Sequence, residues 1–189
     1  MILYLQAKGD MEQTSNKTID QDEHLTHDAA IAKVRQLLSG FQAAMFITQA
    51  VDGAGLHIRP MGLQGDPSVF GGTLWFFADD RSRKVREIER EPRATLVFQD
   101  DETSRYLQLN GSATSVRDRN KMRELYTPRV QTWFPDGLDD PHLMLIRFDA
   151  TSGSFWDSPG GMLQVMAAFT KAVVTGTPAR SGRAGTMDL

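Results

Sequence analysis

Arg81, Arg83, Lys84 and Arg86 crowd the start of one short predicted helix, with Ser82 among them, while Glu87, Glu89 and Glu91 follow towards its end. That order opposes the helix macrodipole, which favours acids at the N-terminus and bases at the C-terminus. An anion on the first turn would reconcile the two, because free backbone N–H groups, a hydroxyl and cationic side chains converge there. Ser82, Arg83 and Lys84 are therefore a candidate phosphate seat. A solvated helix in which Arg83 pairs with Glu87 four residues on satisfies the same residues, and composition alone does not choose between the two. Arg59, on a strand just before Pro60, is a candidate second anchor.

Other chemistries find less support. The chain has no cysteine, so disulfides, thiolate metal sites and a cysteine nucleophile are excluded. His24 and His27 stand three apart without a third ligand at compatible spacing, and Asp136, Asp139 and Asp140 lack the pattern of a calcium loop. No nucleophile elbow or dinucleotide fingerprint is present; Gly71-Gly72 and Gly160-Gly161 read as loop glycines. A net charge of −3 and a pI near 5.8 give no basic surplus for a nucleic-acid backbone or an anionic membrane. No apolar run approaches the roughly 20 residues that span a bilayer, and the opening MILYLQAKGDMEQ lacks the flanks of a secretory signal. A cytoplasmic protein is expected.

The elements that must position these residues follow from periodicity. With 189 residues the chain fits one domain, read as residues 23–176, between flexible tails at 1–22 and 177–189. Apolar residues at helical spacing predict a helix over 26–39. From residue 41 the period changes to that of strands: 41–50 and 56–64 form a hairpin about the turn at Asp52, Gly53, Ala54 and Gly55. After Pro60 the apolar phase slips by one residue, which predicts a bulge. The strand 73–78 is apolar on both faces, and its outer face calls for cover by a partner subunit. The phosphate-seat helix spans 82–91, stopped by Pro92. Strands follow at 94–99 and 105–115, a helix at 118–126, a strand at 142–149, a closing segment with Phe155 and Trp156, and an apolar helix at 162–174. Without strict strand-helix alternation, this order predicts a mainly β (α+β) fold, a six- to seven-stranded antiparallel split β-barrel with flanking helices.

The run from Trp75 through Asp79, Ser82-Arg83-Lys84, Ile88-Glu89 and Pro92-Arg93 to Phe98 resembles the strand-helix-strand of pyridoxamine 5'-phosphate oxidases. The wider pattern, with Arg59-Pro60-Met61, Arg105-Tyr106, Trp133-Phe134-Pro135 and Phe155-Trp156-Asp157-Ser158, is similar to the general stress protein 26 subfamily. The resemblance spans residues 26–176. It implies a homodimer with FMN, or FAD, at the subunit interface and a small-molecule redox substrate. It assigns the phosphate to Arg59, Ser82, Arg83 and Lys84. Pro60, Met61, Gln64, Phe77, Ala78, Tyr106 and Trp156 would border the remainder of the cofactor, Trp156 from the other subunit. Where the oxidases carry an Arg-x-His motif this chain has Ser158-Pro159-Gly160-Gly161-Met162-Leu163, so the likeness does not extend to vitamin B6 oxidation. Tyr106 stands where they place a glutamine. A flavin-dependent oxidoreductase is the leading expectation; a non-catalytic flavin reservoir or sensor, or a barrel holding haem or deazaflavin, is the alternative.

Overall fold

The strand period that begins near residue 41 is realised as one eight-stranded sheet in the computed structural model, which describes residues 23–158, 166, 167, 170, 171, 173 and 182–189. Its strands are β1 (Glu23–Thr26), β2 (Ala43–Gln49), β3 (Leu56–Gly62), β4 (Thr73–Asp79), β5 (Arg93–Asp100), β6 (Arg105–Val116), β7 (Leu143–Asp157) and β8 (Arg183–Asp188). They pair in the order β1-β8-β7-β6-β5-β2-β3, and β4 pairs with β7. One isolated bridge, Gln64 to Trp75, joins the end of β3 to β4 and leaves the barrel split, not closed by a ladder. The helices are α1 (His27–Leu38), α2 (Arg83–Arg90), α3 (Arg119–Leu125) and α4 (Pro128–Gln131). The fold is thus the expected α+β split barrel, with eight strands where six or seven are expected.

Inward residues alternate along the strands, as period-2 side chains must. Phe46, Phe76, Leu96, Phe98, Leu107, Leu109, Ile146 and Phe148 form the core, with Phe46 edge-on to Phe76 at 5.4 Å between centroids. Each such side chain contributes about 1.5–3 kcal/mol by leaving water. Helix α1 adds Ala30, Val34, Leu37 and Leu38 to the same core. Lys33 on its flank holds the buried Asp157 of β7 at 2.8 Å.

Four expectations are corrected. No bulge lies at Pro60: β2 and β3 pair without interruption from Ala43–Gly62 to Gln49–Leu56, and Met61 continues the face of His57 and Arg59. The apparent phase slip arises because that face is polar, while Leu56, Ile58 and Pro60 point to solvent. The register shift occurs instead between Asn110 and Gly111, against β7. The outer face of β4 does not need a second subunit, because the excursion from 117 to 141 folds over it. Phe77 packs there with Met122, Leu125, Val130, Leu143 and Leu145. The two segments expected at 142–149 and around Phe155-Trp156 are one fifteen-residue strand, β7, which pairs with β4 through its first half and with β8 through its second. Finally, the expected tail at 177–189 contains β8, which pairs antiparallel with β7 and parallel with β1, so not every pairing is antiparallel. The expected tail at 1–22 lies outside the described residues, as does most of the helix expected at 162–174, of which the described residues are helical.

Candidate functional site

The sequence around residue 80 builds a turn and then a helix start. Asp79 accepts the Arg81 backbone N–H at 2.8 Å and grips its guanidinium at 2.6 and 3.0 Å. Those hydrogen bonds from Arg81 hold the Asp79 carboxyl down at about 2. Arg81 is thereby occupied. Ser82 is the N-cap of α2, but its side chain makes no capping bond, and its Oγ is buried without a partner among the described residues.

Past this turn the fold forms a cleft of about 320 Å³ between β3, α2 and the 117–141 excursion. It is lined by Arg59, Pro60, Met61, Gly62 and Gln64 on and just after β3, Ala43 of β2, Phe77 of β4, Lys84 of α2, and Arg129, Val130, Trp133 and Phe134 from the excursion. Six expected residues, Arg59, Pro60, Met61, Gln64, Phe77 and Lys84, therefore meet. Lys84 makes no hydrogen bond or ion pair within the described residues. Burial, and then the nearby Arg59 charge, push its ammonium below the ordinary lysine value of 10.5. Among the described residues, the lining carries three cations and no carboxylate.

The remaining expected residues stand elsewhere. Ala78 points into the barrel core. Arg83 is mostly exposed and leans on Glu87 at 3.4 Å, which is the pairing that the alternative reading of this helix anticipates. Tyr106 and Trp156 are cross-strand neighbours on the outer surface of the sheet, and the Tyr106 hydroxyl donates to Asp101 at 2.9 Å. Extending the Met45–Val97 register by two residues sets Ala43 beside Gln99, which pairs with Tyr106. At roughly 4.8 Å per strand, Tyr106 and Trp156 lie about 14 and 19 Å along that row from Gly62 at the cleft.

Sequence reasoning missed two groups. Arg129, Trp133 and Phe134 enter the site on the excursion, where no spacing signals it; Arg129 is held by hydrogen bonds to the Gln42 side chain and, at 3.4 Å, its carbonyl. The second is Glu87, which is 0% exposed. Its Oε2 accepts from Thr48 Oγ1 at 2.6 Å and from Arg59 Nη2 at 2.7 Å, and its Oε1 lies 2.5 Å from His57 Nδ1. Burial pushes the Glu87 carboxyl up, but the hydrogen bonds from Thr48 and His57 and the Arg59 charge outweigh it, leaving its pKa below the ordinary carboxylate range. It is a buried carboxylate.

Known proteins resemble this chain in sequence or in fold. Protein bli-3 of Neurospora crassa is 25% identical over 180 residues, covering 88% of this chain and 86% of bli-3. A crystal structure assigned as general stress protein 26 from Jannaschia sp. CCS1 superposes with a TM-score of 0.69 at 23% identity, over 86% of this chain and 99% of its own. The general stress FMN/FAD binding protein of Xanthomonas citri superposes with a TM-score of 0.58 at 25% identity, over 68% of this chain and 88% of its own. Residues 29–179 match the sequence profile described as pyridoxamine 5'-phosphate oxidase like, a span that contains the cleft, the cation-bearing start of α2 and β2 to β7 entire, and the chain belongs to that family.

Proposed function

We propose that the cleft binds FMN and that the chain works as a homodimeric flavin-dependent oxidoreductase on a small molecule. The observation that carries this reading is Lys84: a half-buried cation with no hydrogen bond or ion pair among the described residues, in a cleft whose described lining holds no acid, so that its charge is costly until an anion answers it. Ser82 Oγ, buried and orphaned at the start of the same helix, is a donor of the kind a phosphate oxygen accepts. Met61, Phe77, Val130, Trp133 and Phe134 supply an apolar wall for a planar ring, and Arg129 a further cation beside it. The size of the cleft lies at the lower end of the range for small-molecule sites, roughly 300–1,000 Å³. Bound flavin would supply the electron transfer; the residues of this chain hold it, orient it and exclude water.

Purified protein mixed with FMN is expected to quench its fluorescence, and Lys84→Glu to lose that binding while keeping the wild-type melting profile. A folded wild-type chain that leaves FMN free rejects the proposal. Steady turnover with a reduced nicotinamide and an electron acceptor separates an oxidoreductase from a flavin carrier, which would hold FMN without flux.

A further inference from the structure

We infer that Glu87 is a positioning residue of the anion seat: from its buried place on α2 it fixes Arg59 at the wall of the cleft. The inference deepens the flavin reading and rests on it. Arg59 Nη1 donates to Thr48 Oγ1 at 2.6 Å, Thr48 Oγ1 donates to Glu87, and Arg59 Nη2 donates to Glu87 directly, so the three side chains form a closed ring. On the other carboxylate oxygen, His57 Nδ1 faces an ionised acid and carries the proton. Every strong acceptor site of Glu87 is thereby used by β2, β3 or its own helix. Two of the five N–H donors of Arg59 are committed, and three remain for a ligand at the cleft that it lines.

This arrangement answers a physical difficulty. Arg59 and Lys84 approach closely enough for Arg59 to depress the ammonium of Lys84, and two such cations repel when no anion is present. Glu87 stands one turn after Lys84 and takes part of the Arg59 charge, so the seat can exist empty and Arg59 cannot swing away to solvent. Replacing a carboxylate that only tied helix to sheet by packed apolar atoms is often neutral; Glu87 spends one oxygen on cleft-lining Arg59 and its support Thr48, and the other on His57 and Arg83.

Glu87→Gln keeps the shape and removes the charge, which gives the two explanations opposite signs. If charge alone mattered, the seat would become more positive and FMN would bind more tightly. Positioning predicts the reverse: FMN affinity falls about tenfold, the size of one charge-assisted hydrogen bond, while riboflavin, which lacks the phosphate, binds as before. Arg59→Ala should also cost less in the Glu87→Gln background than in the wild type. The measurement is fluorescence titration with FMN and with riboflavin. Thr48→Val, which deletes only the bridging hydroxyl, reads the same FMN-to-riboflavin ratio if Glu87→Gln fails to fold. A wild type that prefers FMN to riboflavin, with that ratio unchanged or raised in the variants, overturns the positioning role alone. A wild type that binds neither flavin overturns the function and the role together.

Discussion

Lys84 spans the ordinary and the unusual in this chain: a lysine in a charged helix by sequence, a depressed cation in a cleft by structure. Because its folded pKa is lowered, the burial penalty is fully present at neutral pH and is relieved as pH rises from the lowered value towards 10.5. Apo stability should therefore gain from this group over that window, while affinity for the phosphate falls from the lowered value upward, because the free site must regain a proton to bind it. The preference for FMN over riboflavin is expected to decline before pH 10.5 is reached, and Lys84→Arg, charged throughout, to flatten that decline. Titrations of both flavins along a pH series check it, and a preference that stays constant in the wild type up to pH 10.5 contradicts it. The Ser-Arg-Lys run was readable because cations placed against a helix dipole are an anomaly in the sequence itself; the Arg-Pro-Met run lies on a strand and was readable only through the family resemblance. Glu87 gave no such sign. An acid four residues after an arginine reads as solvated, and only the polar inward face of β3, His57 with Arg59, marks where an acid would be needed.

Strand period located the six central strands to within one or two residues at most ends, since alternation is a property of the strand alone. It failed where burial comes from another part of the chain. In β3 the rule that apolar means inward is inverted, and the 117–141 excursion covers β4 by a contact no local pattern records. The last strand, β8, buries Met187 with few other apolar residues, so its place depends on close backbone approach. A Cβ on Gly185 would lie 2.4 Å from the Glu23 carbonyl oxygen. The sharper case is Gly111, at the register shift between β6 and β7, where a Cβ would meet the Asp149 carbonyl oxygen at 2.1 Å. The three atoms nearest that Cβ are all backbone of the fifteen-residue β7, which leaves little room to yield. Gly111→Ala should cost about 3 kcal/mol, at the upper end of overpacking penalties, seen as a lower urea midpoint with an unchanged slope. An unshifted midpoint would mean that the bulge relaxes freely.

The outer surface of the sheet carries exposed apolar side chains on several of its strands. Leu56 is 63% and Ile58 57% exposed, with Met45 beside them on β2 and Tyr106 and Trp156 further across. Exposed apolar surface in such continuity marks an interaction face, and Ala43, Pro60 and Gly62 carry it to the lip of the cleft. A second copy docked there by twofold symmetry would set its own Tyr106 and Trp156 towards the first copy's cleft, which a single chain holds too far away. Flavin binding and dimerisation would then be linked, each strengthening the other by the same factor. Ile58→Glu, whose side chain touches neither the core nor the cations of the cleft, is expected to give a folded monomer by sedimentation and to weaken FMN binding with it. The effect on affinity should shrink as protein concentration is raised and the dimer is restored. A variant that sediments like the wild type, or a wild type that is monomeric while binding FMN tightly, would place the whole flavin site within one chain and leave this sheet face to some other partner.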